Sequence, residues 1–397
     1  MMGFRVGTSA VLERWTPEVA HHWYGKQPWL VGCNFAPSYA INQLEMWQAE
    51  TFDPVTIDAE MTLAASIGMN SVRVYLHDLL WLQDEPGFLA RIDAFLGLAK
   101  VHDIRVMFVL FDSCWDPYPV LGPQRAPRDG VHNSGWAQAP GMAALKDLNQ
   151  RPRLEAYVKA VVTRFADDPR VLAWDIWNEP DNGPDVASCD ATEWERKGEL
   201  VRPLMTDAFG WARSCSPSQP LTSAIWTGDW SSPKHLSQLQ RAQLDNSDVV
   251  SFHNYGSAEE FEKRVGWLKQ WGRPIMCTEF MARPAGSTFE AILPVAHEHA
   301  VGNFCWGLVR GKTQTHLPWD NWISPFEDFP KEAWFHDIFD PDGTPHDAAE
   351  VEFIRMMNKL AHFARTGEVT DCPPALAYDE PAQVVPVPAK RQMAPAS

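Results

Sequence analysis

The sequence predicts an α/β fold of the (β/α)8, or TIM barrel, type with long loops on its carboxyl face. Two observations support this prediction. Short apolar runs, typical of buried parallel strands, alternate with segments of helical period along the 397-residue chain. In addition, no Gly-x-Gly-x-x-Gly loop follows these runs, which argues against a nucleotide-binding open sheet.

The elements follow one another in a regular order. The predicted strands are the apolar runs at residues 29–35, 71–76, 104–111, 171–177, 221–225, 249–253, 274–280 and 302–306. Helical periodicity separates them at 57–67, 87–102, 152–166, 193–214, a short segment before 249, 258–271 and 288–299. Eight such units predict one closed barrel rather than two smaller domains.

Two connections are too long for ordinary loops of such a barrel. They span residues 112–151 and 308–334, and both follow strands, so both are predicted to lie over the carboxyl face. The barrel domain is predicted over residues 28–365. An N-terminal segment (1–27) precedes it, and a Pro-rich C-terminal tail (366–397) follows, to which no catalytic role is assigned.

Composition excludes several classes of partner. The net charge of -17 would repel phosphate backbones and anionic lipids, and no basic run offsets it, so nucleic acid and membrane surfaces are not expected as partners. No apolar run approaches the length needed to cross a bilayer. Charged residues stand where a signal peptide would need its apolar core, so a cytoplasmic location is expected.

Cysteine and histidine patterns predict neither a metal site nor a cofactor. The seven cysteines are scattered without Cys-x-x-Cys spacing, and the histidines lack metal-ligand spacing. The positive signal is the number of tryptophans, 19 in all. Indole faces stack on the apolar faces of sugar rings, so a Trp-rich cleft suits carbohydrate, although more than half of these residues are expected in the core.

A pair of glutamates carries the chemical prediction. Glu179 ends the apolar run in Trp174-Asp-Ile-Trp-Asn-Glu-Pro180, and Glu279 ends another run 100 residues later. That gap is three strand-helix units, so both carboxylates reach the same rim from the ends of strands four and seven, which face each other across a barrel. A separation of about 5–5.5 Å between them would suit double displacement through a covalent glycosyl-enzyme.

Three further residues fit this chemistry. Arg73 lies in the second strand and would favour the ionised form of whichever carboxylate it contacts. Tyr255 follows the sixth strand and could donate a hydrogen bond to the nucleophile. Asn178 precedes Glu179 and is predicted to bind the 2-hydroxyl of the sugar, a contact that strengthens in the oxocarbenium-like transition state.

Five separated motifs in this order resemble the retaining glycoside hydrolases of the cellulase and mannanase superfamily. The motifs are Ser71-Val-Arg73, Trp177-Asn-Glu-Pro180, His253-Asn-Tyr255, Thr278-Glu279 and Trp306, and the resemblance spans roughly residues 29–310. It implies Glu179 as acid/base and Glu279 as nucleophile. It also implies His253 as a hydrogen-bonding residue of the active site and Trp306 as the platform under the reacting sugar.

The long loops supply the remaining predicted substrate-binding residues, which are Trp115, Gln314 and Trp319. Each tryptophan could equally pack within its loop. The third strand is followed by Asp112-Ser-Cys-Trp115, where many cellulase-like proteins place a histidine, so contacts of the resemblance are not carried over to this segment.

These observations predict a retaining β-glycosidase that acts without a cofactor on a neutral oligosaccharide. Exo-action on short β-linked chains, β-mannoside or β-glucoside, is expected because an unsecreted enzyme meets short imported sugars and because the long loops can close one end of the cleft. The alternatives are an endo-acting β-1,4-mannanase, xylanase or glucanase, and a carbohydrate-binding barrel without catalysis. The sugar epimer, the balance with transglycosylation and the oligomeric state stay open.

Overall fold

The computed structural model describes residues 13–182, 196–319 and 334–368. Its strands are β1 (Val31–Asn34), β2 (Ser71–Tyr75), β3 (Arg105–Val109), β4 (Val171–Asp175), β5 (Leu221–Thr222), β6 (Val250–His253), β7 (Ile275–Phe280) and β8 (Gly302–Trp306). Each strand lies within one of the apolar runs singled out above, so the predicted strand positions are confirmed.

The strands form one parallel sheet in the order β5-β4-β3-β2-β1-β8-β7-β6. A parallel bridge between Ile225 and Phe252 joins the two ends of this order, and the His253 amide donates to the Ile225 carbonyl at 3.0 Å. The sheet is therefore a nearly closed barrel, which confirms the (β/α)8 fold. Carboxyl ends of all eight strands meet at one rim.

Helices surround this barrel. In the described residues they are α1 (Pro17–Tyr24), α2 (Gln43–Trp47), α3 (Pro54–Ser66), α4 (Asp78–Val101), α5 (Met142–Lys146), α6 (Arg151–Arg164), α7 (Lys197–Ser214), α8 (Gln238–Asn246), α9 (Ala258–Leu268), α10 (Phe289–Glu298) and α11 (Ala348–Thr366). Buried side chains of the helices and the outer faces of the strands form one continuous apolar cluster. No helix among these is long and apolar enough to span a membrane.

Helix α4 begins nine residues earlier than the predicted start at residue 87. Its backbone is kinked at Asp84, two residues before Pro86, and this interruption hides the first turns from a periodicity argument. The His77 side chain caps the helix by accepting from the Leu79 amide. Because α4 starts directly after β2, that strand has almost no loop of its own at the rim.

The N-terminal segment contains helix α1, which the sequence analysis did not predict. Thr16 caps this helix and Pro17 occupies its first turn. Ala20 of α1 belongs to an apolar cluster with residues next to the amino ends of strands, among them Leu30 and Leu172. Apolar packing thus closes this end of the barrel, and polar side chains gather at the other. Most of the predicted tail, residues 369–397, lies outside the described residues.

Candidate active site

Buried polar side chains converge at the carboxyl rim of the barrel. Arg73 lies on β2, and Tyr75 is two residues further along the same strand, so both side chains point into the barrel. The pairing register of β6 with β7 shifts between Phe252 and His253, where His253 comes to lie opposite Glu279. Such bulges redirect side chains at the rims of barrels.

Glu279 is held by hydrogen bonds on both carboxylate oxygens. Its Oε1 accepts from Arg73 Nη1 at 2.8 Å and from the Tyr75 hydroxyl at 2.9 Å. Its Oε2 accepts from the Tyr255 hydroxyl at 2.7 Å. The residue is almost fully buried, so these donors replace the water that a carboxylate would otherwise need.

Arg73 connects Glu279 to the rest of the rim. Its Nε and Nη2 donate to Asp175 Oδ2 at 3.0 and 2.8 Å. Nη1 also donates to Asn34 Oδ1, and Nη2 to Asn178 Oδ1, both at 2.7 Å. The guanidinium is fully buried and satisfied on every side, which fixes the carboxylate that it contacts.

The two carboxylates that share Arg73 differ in their tendency to ionise. Burial acts to raise the pKa of Glu279, but His253, Arg73 and the tyrosine hydroxyls outweigh it, so this pKa lies below its ordinary value. Burial dominates at Asp175, whose pKa is raised despite Arg73. Asp175 Oδ1 also lacks a hydrogen-bond partner among the described residues. Of the two carboxyl groups, Glu279 is therefore the one that ionises more readily.

Glu179 occupies a strained turn just beyond β4. Its φ of 40° is in the left-handed region that non-glycine residues rarely adopt, and Pro180 follows directly. Oε1 accepts from His253 Nδ1 at 2.7 Å. Oε2 accepts from Asn182 Nδ2 at 2.5 Å and from the Cys114 thiol at 3.5 Å. The carboxyl of Glu179 therefore contacts His253 through one oxygen and Asn182 and Cys114 through the other.

His253 lies between the two glutamates. Its Nδ1 is 2.7 Å from Glu179 Oε1 and 3.5 Å from Glu279 Oε2. Ligand-type atoms of these three residues lie within 4.8 Å of one another, so they could also hold a metal ion. Hydrogen bonding already accounts for the arrangement, because the ring N–H can bridge two acceptors.

The two glutamates suit different chemical tasks. An ionised carboxylate held by Arg73 and two hydroxyls can attack an electron-poor carbon. Glu179 makes no ion pair with Lys or Arg among the described residues, and His253 lies within 3.5 Å of both glutamates. Such a carboxyl can exchange a proton with a leaving group.

Sequence reasoning missed several polar residues of this network. Tyr75 could have been found, because it is two residues from Arg73 on the same strand face. Asp112 accepts from Asn178 Nδ2 at 3.0 Å and from Trp136 Nε1 at 2.6 Å, so it positions the asparagine from behind. Trp136 lies in a long loop, and the sequence leaves open whether it packs within that loop or forms part of a subsite wall.

The predicted sugar platform, Trp306, lies at the end of β8 beside two other rings. Its ring centroid is 6.0 Å from that of Tyr75 and 6.2 Å from that of Trp136, and both pairs are close to perpendicular. Tyr75 and Trp136 are themselves 5.1 Å apart. Trp306 is only partly buried, so part of its ring is left for a ligand.

The predicted loop tryptophans contact further aromatic rings next to the site. Trp115, with a φ of 64°, lies 6.3 Å from the ring of His132. Trp319 lies 5.1 Å from the ring of Tyr255 and 5.5 Å from that of His336. Trp115 also packs against the cluster that contains Tyr75 and Trp136, so both tryptophans lie close to residues of the site. Their contact with a substrate stays a prediction.

Three loops join into a continuous wall along one side of the rim. We call residues 35–42, 112–141 and 307–319, which follow β1, β3 and β8, the end wall. The Asn133 amide donates to the Thr313 carbonyl at 2.7 Å. The Lys312 amide donates to the Ser38 carbonyl at 3.0 Å. Because β2 has almost no loop of its own, the loop after β3 passes over it to reach the other two.

Gln314 connects two loops of the end wall by hydrogen bonds. Its Nε2 donates to the carbonyls of Arg128 at 2.7 Å and Val131 at 3.1 Å, and its Oε1 accepts from the Gly130 amide at 3.2 Å. The side-chain amide of Gln314 therefore forms hydrogen bonds with the backbone of the loop after β3. A direct contact of Gln314 with substrate stays a prediction.

Known proteins resemble this chain in both sequence and fold. The family model described as Cellulase (glycosyl hydrolase family 5) matches residues 32–324, about three quarters of the chain. Mannan endo-1,4-beta-mannosidase 5 of Arabidopsis thaliana is 23% identical over 232 residues, covering 50% of this chain and 51% of that protein. The chain spans between about a fifth and about half of the length of the first curated relatives that it matches.

Solved structures share the barrel. An exo-beta-1,4-mannosidase from Opitutaceae bacterium strain TAV5 superposes with a TM-score of 0.55 at 20% identity, over 84% of this chain and 60% of that one. An endo-beta-1,4-mannanase from Thermotoga petrophila gives a TM-score of 0.55 at 14% identity, over 87% and 79% of the two chains. At these identities the likeness shows the fold.

Proposed function

The chain belongs to glycosyl hydrolase family 5, the cellulase family, and from this membership and the geometry of the rim we propose that it is a retaining, exo-acting β-glycosidase. Its substrate is the non-reducing end of a short β-linked oligosaccharide. Glu279 acts as nucleophile and Glu179 as acid/base. The single observation that supports exo-action is the end wall.

In the first step, Glu279 Oε2 attacks the anomeric carbon. This oxygen is on the side of Glu179, because His253 Nδ1 lies near both. As the bond to carbon forms, the glycosidic bond breaks, and the leaving oxygen takes the proton of Glu179. Oxygen atoms of the two glutamates lie within 4.8 Å of each other, closer to the separation of about 5–5.5 Å in retaining enzymes than to the roughly 6.5–9.5 Å of inverting ones.

In the second step, water attacks the anomeric carbon from the side that the leaving group has vacated. Glu179 accepts a proton from this water, the bond between the sugar and Glu279 breaks, and the configuration is retained. Arg73 and Tyr75 stabilise the carboxylate as it is released, since both donate to its Oε1. A sugar hydroxyl in place of water would give transglycosylation.

The positions of the two glutamates also give the substrate a direction. The leaving oxygen must lie beside Glu179, which follows β4, so the leaving group extends over that side of the rim. The sugar that is released lies over Trp306, which ends β8. In an eight-stranded barrel β4 and β8 are on opposite sides, so the non-reducing end of the substrate points at the end wall.

The end wall supports exo-action because it closes that side of the cleft. Hydrogen bonds join its three loops, and Trp136 stands next to Trp306 within 6.2 Å between ring centroids. A chain that continued beyond the reacting sugar would meet this wall. The known relatives include both exo- and endo-acting enzymes on β-mannosides, so we propose β-mannoside as the first substrate class and β-glucoside as the second.

Hydrolysis of aryl glycosides tests the reaction itself. Purified protein is incubated with 4-nitrophenyl β-D-mannopyranoside, β-D-glucopyranoside and β-D-xylopyranoside, and proton NMR identifies the first anomer formed. A β-anomer as first product is expected, and an α-anomer would contradict the double displacement. Glu279→Gln should abolish hydrolysis, while the matched control Glu352→Gln on the exposed face of α11 should not.

The cytoplasmic location predicted from the sequence stays a prediction. If it is correct, the enzyme meets short imported oligosaccharides, which fits a closed cleft. Fractionation of cells that produce the protein from its native gene would test it. Recovery with the culture medium would remove this part of the proposal and leave the reaction unaffected.

A further inference from the structure

A small pocket in the end wall lies beside the sugar platform. Tyr75, Trp136 and Trp306 form part of its lining, together with Thr313 and Thr315 of the loop after β8. Both threonines are almost fully buried. The pocket therefore combines three aromatic side chains with two threonines, which carry hydroxyl groups.

The two threonine hydroxyls form a chain of hydrogen bonds that ends at the buried carboxyl of Asp337, and we call this chain the relay. Thr313 Oγ1 and Thr315 Oγ1 are 3.2 Å apart. Thr315 Oγ1 lies 3.0 and 2.9 Å from the two carboxylate oxygens of Asp337. Asp337 is almost fully buried, and among the described residues it forms no ion pair with Lys, Arg or His. Gly307 makes room for it, because a Cβ there would lie 2.2 Å from Asp337 Oδ1.

The number of available protons decides which group donates in each hydrogen bond of the relay. An ionised Asp337 can only accept, so Thr315 donates to it. Thr315 then has no proton left, so Thr313 donates to Thr315. Thr313 Oγ1 then has no proton left to donate, and among the described residues no other group donates to it, so it can accept a hydrogen bond. Burial raises the pKa of Asp337 to about 7, so this direction holds at pH 8.

An acceptor at this point selects one form of sugar. We propose that Thr313, oriented by Thr315 and Asp337, binds the hydroxyl group that the reacting sugar carries opposite its anomeric carbon, the 4-hydroxyl of a hexopyranose. In a terminal sugar this group is an O–H and can donate. In an internal sugar of a 1,4-linked chain it is an ether oxygen, which has no proton, and Thr313 would be left buried without a partner.

This inference rests on the proposed exo-glycosidase function and adds a chemical reason to the steric one. The end wall would exclude a longer chain by its bulk. Thr313 would reject it in addition because a buried acceptor without a donor is costly. Asp337 does not reach the substrate in this arrangement and acts through Thr315, so it is a positioning residue.

The experiment compares a substrate with its 4-deoxy analogue at pH 8. Values of kcat/KM are measured for 4-nitrophenyl β-D-mannopyranoside, or the β-D-glucopyranoside if it is hydrolysed faster, and for the 4-deoxy form. The wild type should lose about 10–100-fold on the deoxy substrate, as expected for one buried hydrogen bond. Thr313→Val and Thr315→Val should lose a similar factor on the parent substrate and discriminate less than about threefold between the two.

Controls separate this role from a structural one. Thr313→Ser keeps the hydroxyl and should restore the discrimination, and Thr206→Val, on the exposed face of α7, should behave as wild type. Thermal unfolding of each variant checks that it is folded. Wild-type discrimination in folded Thr313→Val would overturn the inference alone, whereas wild-type protein that hydrolyses no glycoside would overturn the proposed function and this inference with it.

Discussion

The rim network and the end wall are built in different ways. The network around Glu279 uses side chains at the ends of strands, and its donors and acceptors satisfy one another inside the barrel. The end wall consists of three loops, which hydrogen bonds connect to one another. Under the proposed function, catalysis takes place on the rigid strands, and the substrate is selected by loops that can vary without disturbing the barrel.

Removal of the two glutamates should give the largest effects and distinguish their roles. Glu279→Ala should reduce kcat by about 10⁴-fold or more on every substrate, because no carboxylate remains to attack. Glu179→Ala should slow an unactivated disaccharide by a comparable factor, but a 2,4-dinitrophenyl glycoside far less in the first step, since that leaving group needs no proton. Pre-steady-state release of dinitrophenol measures this difference. Equal loss on both leaving groups would contradict the acid/base role.

Strand-borne residues were predictable from the sequence because the strand sets their direction. Glu179, Glu279 and Arg73 end or lie in apolar runs, and the structure brings all three together at the rim. Tyr75 was equally accessible to this reasoning through the period of two. For Trp136 the sequence did not decide between packing within its loop and forming part of a subsite wall, and it did not single out Thr313. Loops have no period, and the positions of these residues depend on contacts between segments more than a hundred residues apart in the chain.

Truncation of Trp136 in the end wall should change which products are released, while the double displacement itself is retained. Trp136→Ala removes the ring beside Trp306 and the hydrogen bond to Asp112. We expect a loss of about 10–100-fold in the release of terminal sugar, because the truncation removes both a packed aromatic side chain and a buried hydrogen bond. Internal cuts in a soluble β-mannan should increase at the same time.

Size-exclusion chromatography of the polymer after digestion measures this change. Trp136→Phe keeps a ring of similar bulk and should retain release from chain ends. An unchanged product pattern in a folded Trp136→Ala variant would show that the wall does not decide where the chain is cut.

Loss of one hydrogen-bond donor to Glu279 should shift the acidic limb of the profile of kcat/KM against pH. The pKa of this carboxyl is lowered in the folded protein, so activity that needs the ionised form persists as pH falls until that lowered pKa is reached. Tyr255→Phe removes the hydrogen bond to Oε2, so the pKa should rise and the limb should move to higher pH by about one unit.

The measurement is kcat/KM against pH between 3 and 7, with Tyr24→Phe, at the opposite end of the barrel, as the matched control. A limb that stays in place in Tyr255→Phe would mean that another group limits activity on the acidic side.

The smallest effect is expected for Gln314, which connects the loops after β3 and β8. Gln314→Ala removes hydrogen bonds to three backbone groups, which should lower the free energy of unfolding by about 1 kcal/mol and Tm by roughly 2 °C. Calorimetry measures this change, with the exposed Gln238→Ala as control. If Gln314 contacts the substrate as the sequence predicts, KM will rise more than this loss of stability can explain.

Early products from a defined oligosaccharide test exo-action most directly. Mannohexaose labelled at its reducing end is incubated with wild-type protein until about a tenth is consumed, and the labelled products are separated by length. Exo-action from the non-reducing end, imposed by the end wall, predicts labelled mannopentaose and free mannose as the first products. Labelled mannobiose or mannotriose at the same early time would show internal cleavage, and labelled mannose would show cleavage at the reducing end; either would contradict it.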